Sequence, residues 1–214
     1  MPDAIDKFEL LKRLQHQVLS GPKDARFIVA IAGAPASGKS AVSEWLLEEF
    51  NKAHPGASAI LPMDGYHYDD EVLIANDWRQ QKGAPYTFDV GGLASILKRL
   101  RENKEPEIAV PRFDRDLEIA RAGALLIKHE AQLIIVEGNY LLLNSEPWKQ
   151  LFPLFDLKVL VSVEEHVLEQ RLRDRWTSYN LDPSDIERKV FENDLPNGRL
   201  VIKESVDPDI LVSN

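Results

Sequence analysis

The chain of 214 residues contains no cysteine, which excludes disulfides, thiolate metal sites and thiol catalysis. It has no apolar run approaching the roughly 18–20 residues that a membrane-spanning helix needs. A basic surplus is missing too. The net charge of −9 disfavours a general nucleic-acid or membrane-binding face. The opening stretch, MPDAIDKFELLKRL, is mixed in charge and lacks an apolar signal core. Cytoplasmic residence, with neither membrane nor nucleic acid as partner, is therefore the expectation. No internal repeat, low-complexity tract or domain linker breaks the chain. What remains, 44% hydrophobic and 29% charged residues, is the composition of a single globular domain spanning 1–214.

One stretch organises the rest: Gly33-Ala34-Pro35-Ala36-Ser37-Gly38-Lys39-Ser40, followed by Ala41. It fits Gly-x-x-x-x-Gly-Lys-[Ser/Thr], a phosphate-binding loop. Its flanks fit as well. Arg26 to Ala32 is a short run rich in Val and Ile, as in a buried parallel strand. After Ser40, Val42, Trp45, Leu46 and Phe50 recur at helical spacing. Glycines at positions 33 and 38 let the backbone approach a phosphate, and the helix N-terminus faces the anion. In such a loop Lys39 reaches the β- and γ-phosphates and the Ser40 hydroxyl ligates Mg²⁺. The expected cofactors are ATP and Mg²⁺.

Further along, the periodicity predicts a helix from Ile5 to Leu19, within an N-terminal region 1–24, with Phe8, Leu11, Leu14 and Val18 as its stripe. A second strand, Ala57 to Pro62, runs into Met63-Asp64-Gly65-Tyr66-His67. Active groups collect at strand carboxyl ends in an open parallel sheet, and Asp64 stands at one. Glu71 to Tyr86 reads as an irregular surface excursion. Asp89 caps a helix reaching Glu102. Glu107 to Val110 is a short strand, and 117–129 is compatible with a helix or two short strands. Gln132 to Val136 is a buried strand ending at Glu137, Trp148 to Phe155 a short helix, and Leu157 to Val163 a strand. Glu164 to Tyr179 is an arginine-bearing helix. Ser184 with Glu187 suggests a capping box, Asp194 to Gly198 a turn, Gly198 to Ser205 a helix, and Asp209 to Val212 a last strand. Alternating strands and helices predict a three-layer α/β fold with a central, mainly parallel sheet.

Neither an Asn-Lys-x-Asp guanine-reading motif nor a strand-end Asp of the Walker B kind is present, and Glu137 stands at the strand end instead. Met63-Asp64-Gly65-Tyr66, Lys82-Gly83-Ala84-Pro85-Tyr86-Thr87-Phe88-Asp89, Pro111-Arg112-Phe113-Asp114 and Val136-Glu137-Gly138 together resemble the uridine kinase, phosphoribulokinase and bacterial-type pantothenate kinase group. Gln81 departs from that pattern, where pantothenate kinases place Arg. Glu137 to Leu143 and Asn193 to Gly198 resemble in particular a bacterial subgroup labelled "fructose transport system kinase". That label is not evidence for fructose.

The resemblance implies a kinase that moves the γ-phosphate of ATP to a hydroxyl of a nucleoside, a sugar or a pantothenate-like acceptor. Lys39, Asp64, Glu137, Arg171 and Arg175 are the expected catalytic residues, and Ser40, Asp64 and Glu137 the expected metal shell. Asp64 would take or orient the acceptor proton, although Asp-Gly is also ordinary turn chemistry. Arg171 and Arg175 share a helical face in a region, 164–193, that resembles a lid, while Arg173 points elsewhere. Tyr66, His67, Phe88, Arg112, Asp114, Arg115 and Tyr140 are candidates for the acceptor pocket. Trp45 and Trp148 belong to apolar stripes. The polar pocket and the acidic chain favour an uncharged or weakly charged acceptor, with Arg112 and Arg115 available to a carboxylate or phosphate. A nucleotide-binding regulatory NTPase without an acceptor is the alternative. Oligomeric state is not readable, and a homodimer is left open.

Overall fold

The computed structural model describes residues 4–22 and 25–214. The expected N-terminal region 1–24 therefore falls partly outside the described residues. In chain order the strands are β1 (Ala4–Ile5), β2 (Phe27–Gly33), β3 (Ser58–Pro62), β4 (Glu107–Asp114), β5 (Ile119–Lys128), β6 (Leu133–Gly138), β7 (Leu157–Ser162) and β8 (Ile210–Ser213). The α-helices are α1 (Lys7–Ser20), α2 (Lys39–Ala53), α3 (Asp70–Ala75), α4 (Val90–Glu102), α5 (Glu165–Ser178), α6 (Pro183–Arg188) and α7 (Leu195–Glu204).

Six strands form one parallel sheet in the order β1-β8-β7-β2-β6-β3. Its centre is apolar on both faces, as a sheet covered by helices on both sides requires. Along β2, Ile28, Ala30 and Ala32 pack towards α4, while Val29 and Ile31 pack towards α1 and α2. This is the predicted three-layer α/β architecture. β4 and β5 stand apart as an antiparallel ribbon. The open segment 117–129 thus contains a single strand, with Gly123 at φ 66° relaxing its backbone.

Several local expectations are corrected. The buried stripe of α1 is Leu10, Leu14 and Val18, and Phe8 instead lies exposed, edge-on to Trp45. The excursion after Asp70 holds α3 and two 3₁₀ turns, Arg79–Gln81 and Pro85–Thr87. β4 runs on through Pro111, where the register shifts, the position at which a strand tolerates proline. α6 starts from Asp182, because Pro183 favours the first helical position, and Glu187 pairs with Arg173 rather than closing a capping box. Asp194 to Gly198 is no turn. A π-helical segment, Lys189–Asp194, leads directly into α7. Pro196 sits in the first turn of α7, where its missing N–H costs little.

Arg26 is the polar keystone beneath the sheet. It is 3% exposed and donates to the carbonyls of Ala131, Leu100 and Lys128 at 3.0, 3.1 and 2.7 Å. It thereby joins the last turn of α4 to the end of β5 and the loop leading into β6. Arg26→Met keeps the stem but strands two buried acceptors and a part-buried one, so the unfolding free energy should fall by about 2–3 kcal/mol in urea titrations. An unchanged midpoint would show that water replaces the guanidinium.

Candidate active site

The loop Gly33–Ser40 joins β2 to α2. Gly38 has φ 89°, a left-handed conformation that a side chain would strain. A Cβ on Gly33 would lie 2.5 Å from Ser37 Oγ and 2.9 Å from the Val161 carbonyl. Glycine at both positions is thus a steric requirement. Arg171 donates to the Ala36 and Ser37 carbonyls, each at 3.3 Å, and Asn214 Nδ2 donates to the Ser37 carbonyl at 2.9 Å. These contacts occupy carbonyl oxygens that would otherwise repel a phosphate. Buried Ser37 Oγ has no hydrogen-bond partner among the described residues. The loop therefore presents an oriented cradle for an anion.

The sheet brings two carboxylates to this cradle. β3 and β6 are neighbours with Pro62 opposite Glu137. Asp64, in the 3₁₀ turn Met63–Tyr66, consequently stands beside Glu137 at the carboxyl edge of the sheet. Ser40 Oγ donates to Glu137 Oε2 at 3.0 Å, and Arg115 Nη2 lies 2.8 Å from Asp64 Oδ2. Burial resists ionisation of Asp64, but His67 when charged, and then Arg115, Lys39 and Arg175, outweigh it and hold the carboxyl below its ordinary range. Burial raises Glu137, and the neighbouring Asp64 charge adds to the effect against Lys39 and the Ser40 hydrogen bond. Of the pair, Asp64 is thus held the more acidic and Glu137 the less.

A cleft of about 720 Å³ runs past these groups. Its lining includes Pro35, Ala36, Gly38, Lys39, Ser40 and Ala41 from the loop region, Arg171 and Arg175 from α5, and Asp64, His67, Phe88 and Arg115 at the far end. Gly33, Ala34 and Ser37 form the body of the loop behind that surface. Glu137 reaches the cleft through Ser40. His67 sits between Phe88 and Phe113, with ring centroids 4.0 and 4.7 Å away. Its Nδ1–H donates to the Asp64 carbonyl at 2.8 Å, and burial lowers its pKa, which favours the neutral ring.

Four acceptor candidates fall outside the cleft lining. Tyr66 is 7% exposed and belongs to the core, where burial raises its phenol above the ordinary range. Tyr140 is fully buried and donates to the Gly83 carbonyl at 2.6 Å, so it supports the wall from behind. Arg112 is exposed on the ribbon, and Asp114 pairs with Arg121 at 3.3 Å. Strand alternation explains the last two, since Arg112 and Asp114 take the side of β4 opposite Phe113, and Arg115 follows in the turn beyond the strand.

Other lining residues were not among the site candidates: Lys82, Phe113, Asn139, Asn193, Asp194 and Asn197 lie in the strings that carry the family resemblance but had no role assigned, and Arg79, Trp176, Lys189 and Asn214 were not singled out. The Oδ1 of Asn139 is buried without a partner among the described residues, one residue beyond the Glu137-Gly138 strand end. Trp176 Nε1 donates to Asp194 Oδ2 at 2.7 Å, and its ring lies beneath Lys189 Nζ at 4.4 Å. Burial raises the Asp194 pKa against the Trp176 hydrogen bond and the nearby Arg175 and Lys189 charges. Arg173 faces away, bonded to Glu169 and Glu187, so Arg171 and Arg175 are the α5 arginines on the cleft.

No group of three or more His, Cys, Asp or Glu side chains among the described residues could hold a metal unaided. The donors present suit Mg²⁺ of another kind, a hydroxyl and one or two carboxylates completed by substrate phosphates. Ser40, Glu137 and Asp64 are the side chains here that could hold such an ion.

Comparison with known proteins places the chain. No family model matches it. It is 31% identical over 222 residues to the Schizosaccharomyces pombe protein named "Putative uridine kinase C227.14", covering 99% of this chain and 92% of that protein. A crystal structure of a "putative fructose transport system kinase" from Silicibacter sp. TM1040 superposes with a TM-score of 0.88 at 31% identity, covering 97% of this chain and 99% of that one. A pantothenate kinase from Halalkalibacterium halodurans is 28% identical over 176 residues, 77% of this chain and 55% of that protein. With its P-loop, parallel sheet and strand-end carboxylates, the chain belongs to the P-loop kinase group related to uridine and pantothenate kinases.

Proposed function

We propose that this protein transfers the γ-phosphoryl group of ATP to a hydroxyl of a small metabolite seated at the Asp64 end of the cleft. The observation that supports this most is the extent of the cleft. It continues beyond Lys39 to Asp64, His67, Phe88, Phe113 and Arg115. A nucleotide switch needs no such second wall.

The P-loop amides and Lys39 hold the β- and γ-phosphates, and Arg171 and Arg175 face them from α5. Mg²⁺, when bound at Ser40 with Glu137 and Asp64, neutralises phosphate charge. Asp64 orients the acceptor hydroxyl and accepts its proton. The acceptor oxygen forms a bond to the γ-phosphorus, the bond from that phosphorus to the β–γ bridging oxygen breaks, and ADP leaves with the bond electrons. His67, fixed through Nδ1 on the Asp64 carbonyl, presents Nε2 to another hydroxyl of the acceptor. A nucleoside, a sugar or a pantothenate-like alcohol each meets these demands.

Phosphorus NMR of the protein with Mg-ATP and pooled alcohols tests the proposal. A new phosphate-ester resonance, matched by ADP, is expected in one pool. Inorganic phosphate as the sole product, at a rate indifferent to the pool, would favour an NTPase.

A further inference from the structure

Arg115 lies in the turn joining β4 to β5, and its guanidinium bonds to the carboxylate assigned above to the acceptor hydroxyl. Its side chain is 49% exposed, and that of Asp64 22%. The turn is anchored. Lys82 Nζ donates to the Glu118 carbonyl at 2.6 Å and to Asp70 Oδ1 at 2.7 Å, and the Lys82 side chain is only 9% exposed. Glu118 holds φ 58°, a left-handed conformation uncommon away from glycine. Arg115 is thus delivered to Asp64 by a built support.

The neighbouring cations are differently occupied. Arg79 and Lys82 share Asp70, each at 2.7 Å. Arg115 is paired with the very oxygen-bearing group that a hydroxyl must approach. Any acceptor bonded to Asp64 brings its adjacent atoms within reach of the guanidinium, whose planar fork has donors to spare. A neutral acceptor leaves the Arg115–Asp64 pair to compete with the hydroxyl. An anionic acceptor gives Arg115 a replacement partner and frees a carboxylate oxygen for that hydroxyl.

Resting on the kinase reading, we infer that the acceptor carries a carboxylate or phosphate close to its reacting hydroxyl, and that Arg115 is the specificity-determining residue that binds it. Arg112, the other basic candidate, lies outside the cleft lining.

The test is calorimetric titration of the full chain, loaded with Mg²⁺ and a non-hydrolysable ATP analogue, against matched pairs. Glycerate with glycerol, and pantothenate with pantothenyl alcohol, probe a carboxylate. Ribose 5-phosphate with ribose probes a phosphate. The anionic member of at least one pair should bind roughly ten- to a hundredfold tighter. Arg115→Ala should abolish that margin by weakening the anion without weakening its neutral partner, which no longer competes with the guanidinium for Asp64, and Arg115→Lys should retain part of the margin. Asp64→Asn should bind the anion more tightly than the wild type, because the internal competitor is gone. Anions that bind no tighter than their neutral partners, or an Arg115→Ala loss equal for both members, would overturn the inference. Turnover with ATP separates the two levels. Equal phosphorylation of neutral and anionic partners removes this inference and keeps the kinase. ADP release without any acceptor removes both.

Discussion

Asp64→Asn should lower kcat by roughly 10²- to 10⁴-fold, the range that a positioned general base contributes. The affinity for ATP should barely move, because Asp64 lies beyond Lys39 towards the acceptor end. The substitution is close to isosteric and stays next to Arg115, so the fold should persist. Its effect comes from chemistry: an amide neither accepts a proton at neutral pH nor competes for a cation. The residue also belongs to the proposed metal shell, and Mg²⁺ titration separates the two roles. A loss of kcat at saturating Mg²⁺ marks the base. A loss recovered at high Mg²⁺ marks a metal ligand. Steady-state kinetics with wild-type kcat in the variant would remove Asp64 from the reaction.

Lys39→Met should have a comparable effect on the nucleotide side. The Lys39 charge bears on both Asp64 and Glu137, opposing the raised pKa of Glu137. Removing a preorganised cation from a transferring phosphoryl group costs on the order of 10²- to 10³-fold in rate. Methionine fills similar space without the charge, so thermal stability without nucleotide should be unchanged. Both kcat and the stabilisation by Mg-ATP should fall. This pattern differs from that of Asp64→Asn, which keeps nucleotide stabilisation. A variant that retained both would contradict the placement of the triphosphate along the loop.

These two residues were legible because each announces itself locally. Lys39 lies in a motif flanked by a strand and a helix, and Asp64 follows an apolar run that stops abruptly. Their relation to Glu137 was not legible. It depends on β3 pairing with β6, a contact between segments some 75 positions apart. Local position decided the ribbon: Arg112 and Arg115 are equivalent in composition, but Arg112 sits on the strand face away from the cleft while Arg115 lies in the turn and pairs with Asp64. The stretch from Asp194 to Gly198 misled because Asp, Pro, Asn and Gly are turn residues. Tertiary packing overrode that preference, with Val190 and Leu195 buried against Ala34 and Gly198 close to Ala34 Cβ. Asn214 gave no signal at all, since its bond to Ser37 spans 177 positions.

The parallel sheet and its layers were more readable than the site, because the chain repeats the same signal strand after strand. Ile28 to Ala32 and Leu133 to Val136 are short buried runs of the kind a covered parallel sheet requires, and β7 adds buried Val159 and Val161. The ribbon carried a weaker signal. Most of β5 is exposed, so no buried face imposes a period on its sequence.

The central claim is that phosphate moves from ATP to an alcohol. Its most direct measurement is ADP release from Mg-ATP by the wild-type chain and by Asp64→Asn, with pooled nucleosides, sugars and pantothenate-like alcohols, beside a tube without acceptor. The expected result is ADP with one pool, near background without acceptor, and lost in Asp64→Asn. ADP formed at one rate in every tube, with or without acceptor and in both proteins, would contradict it.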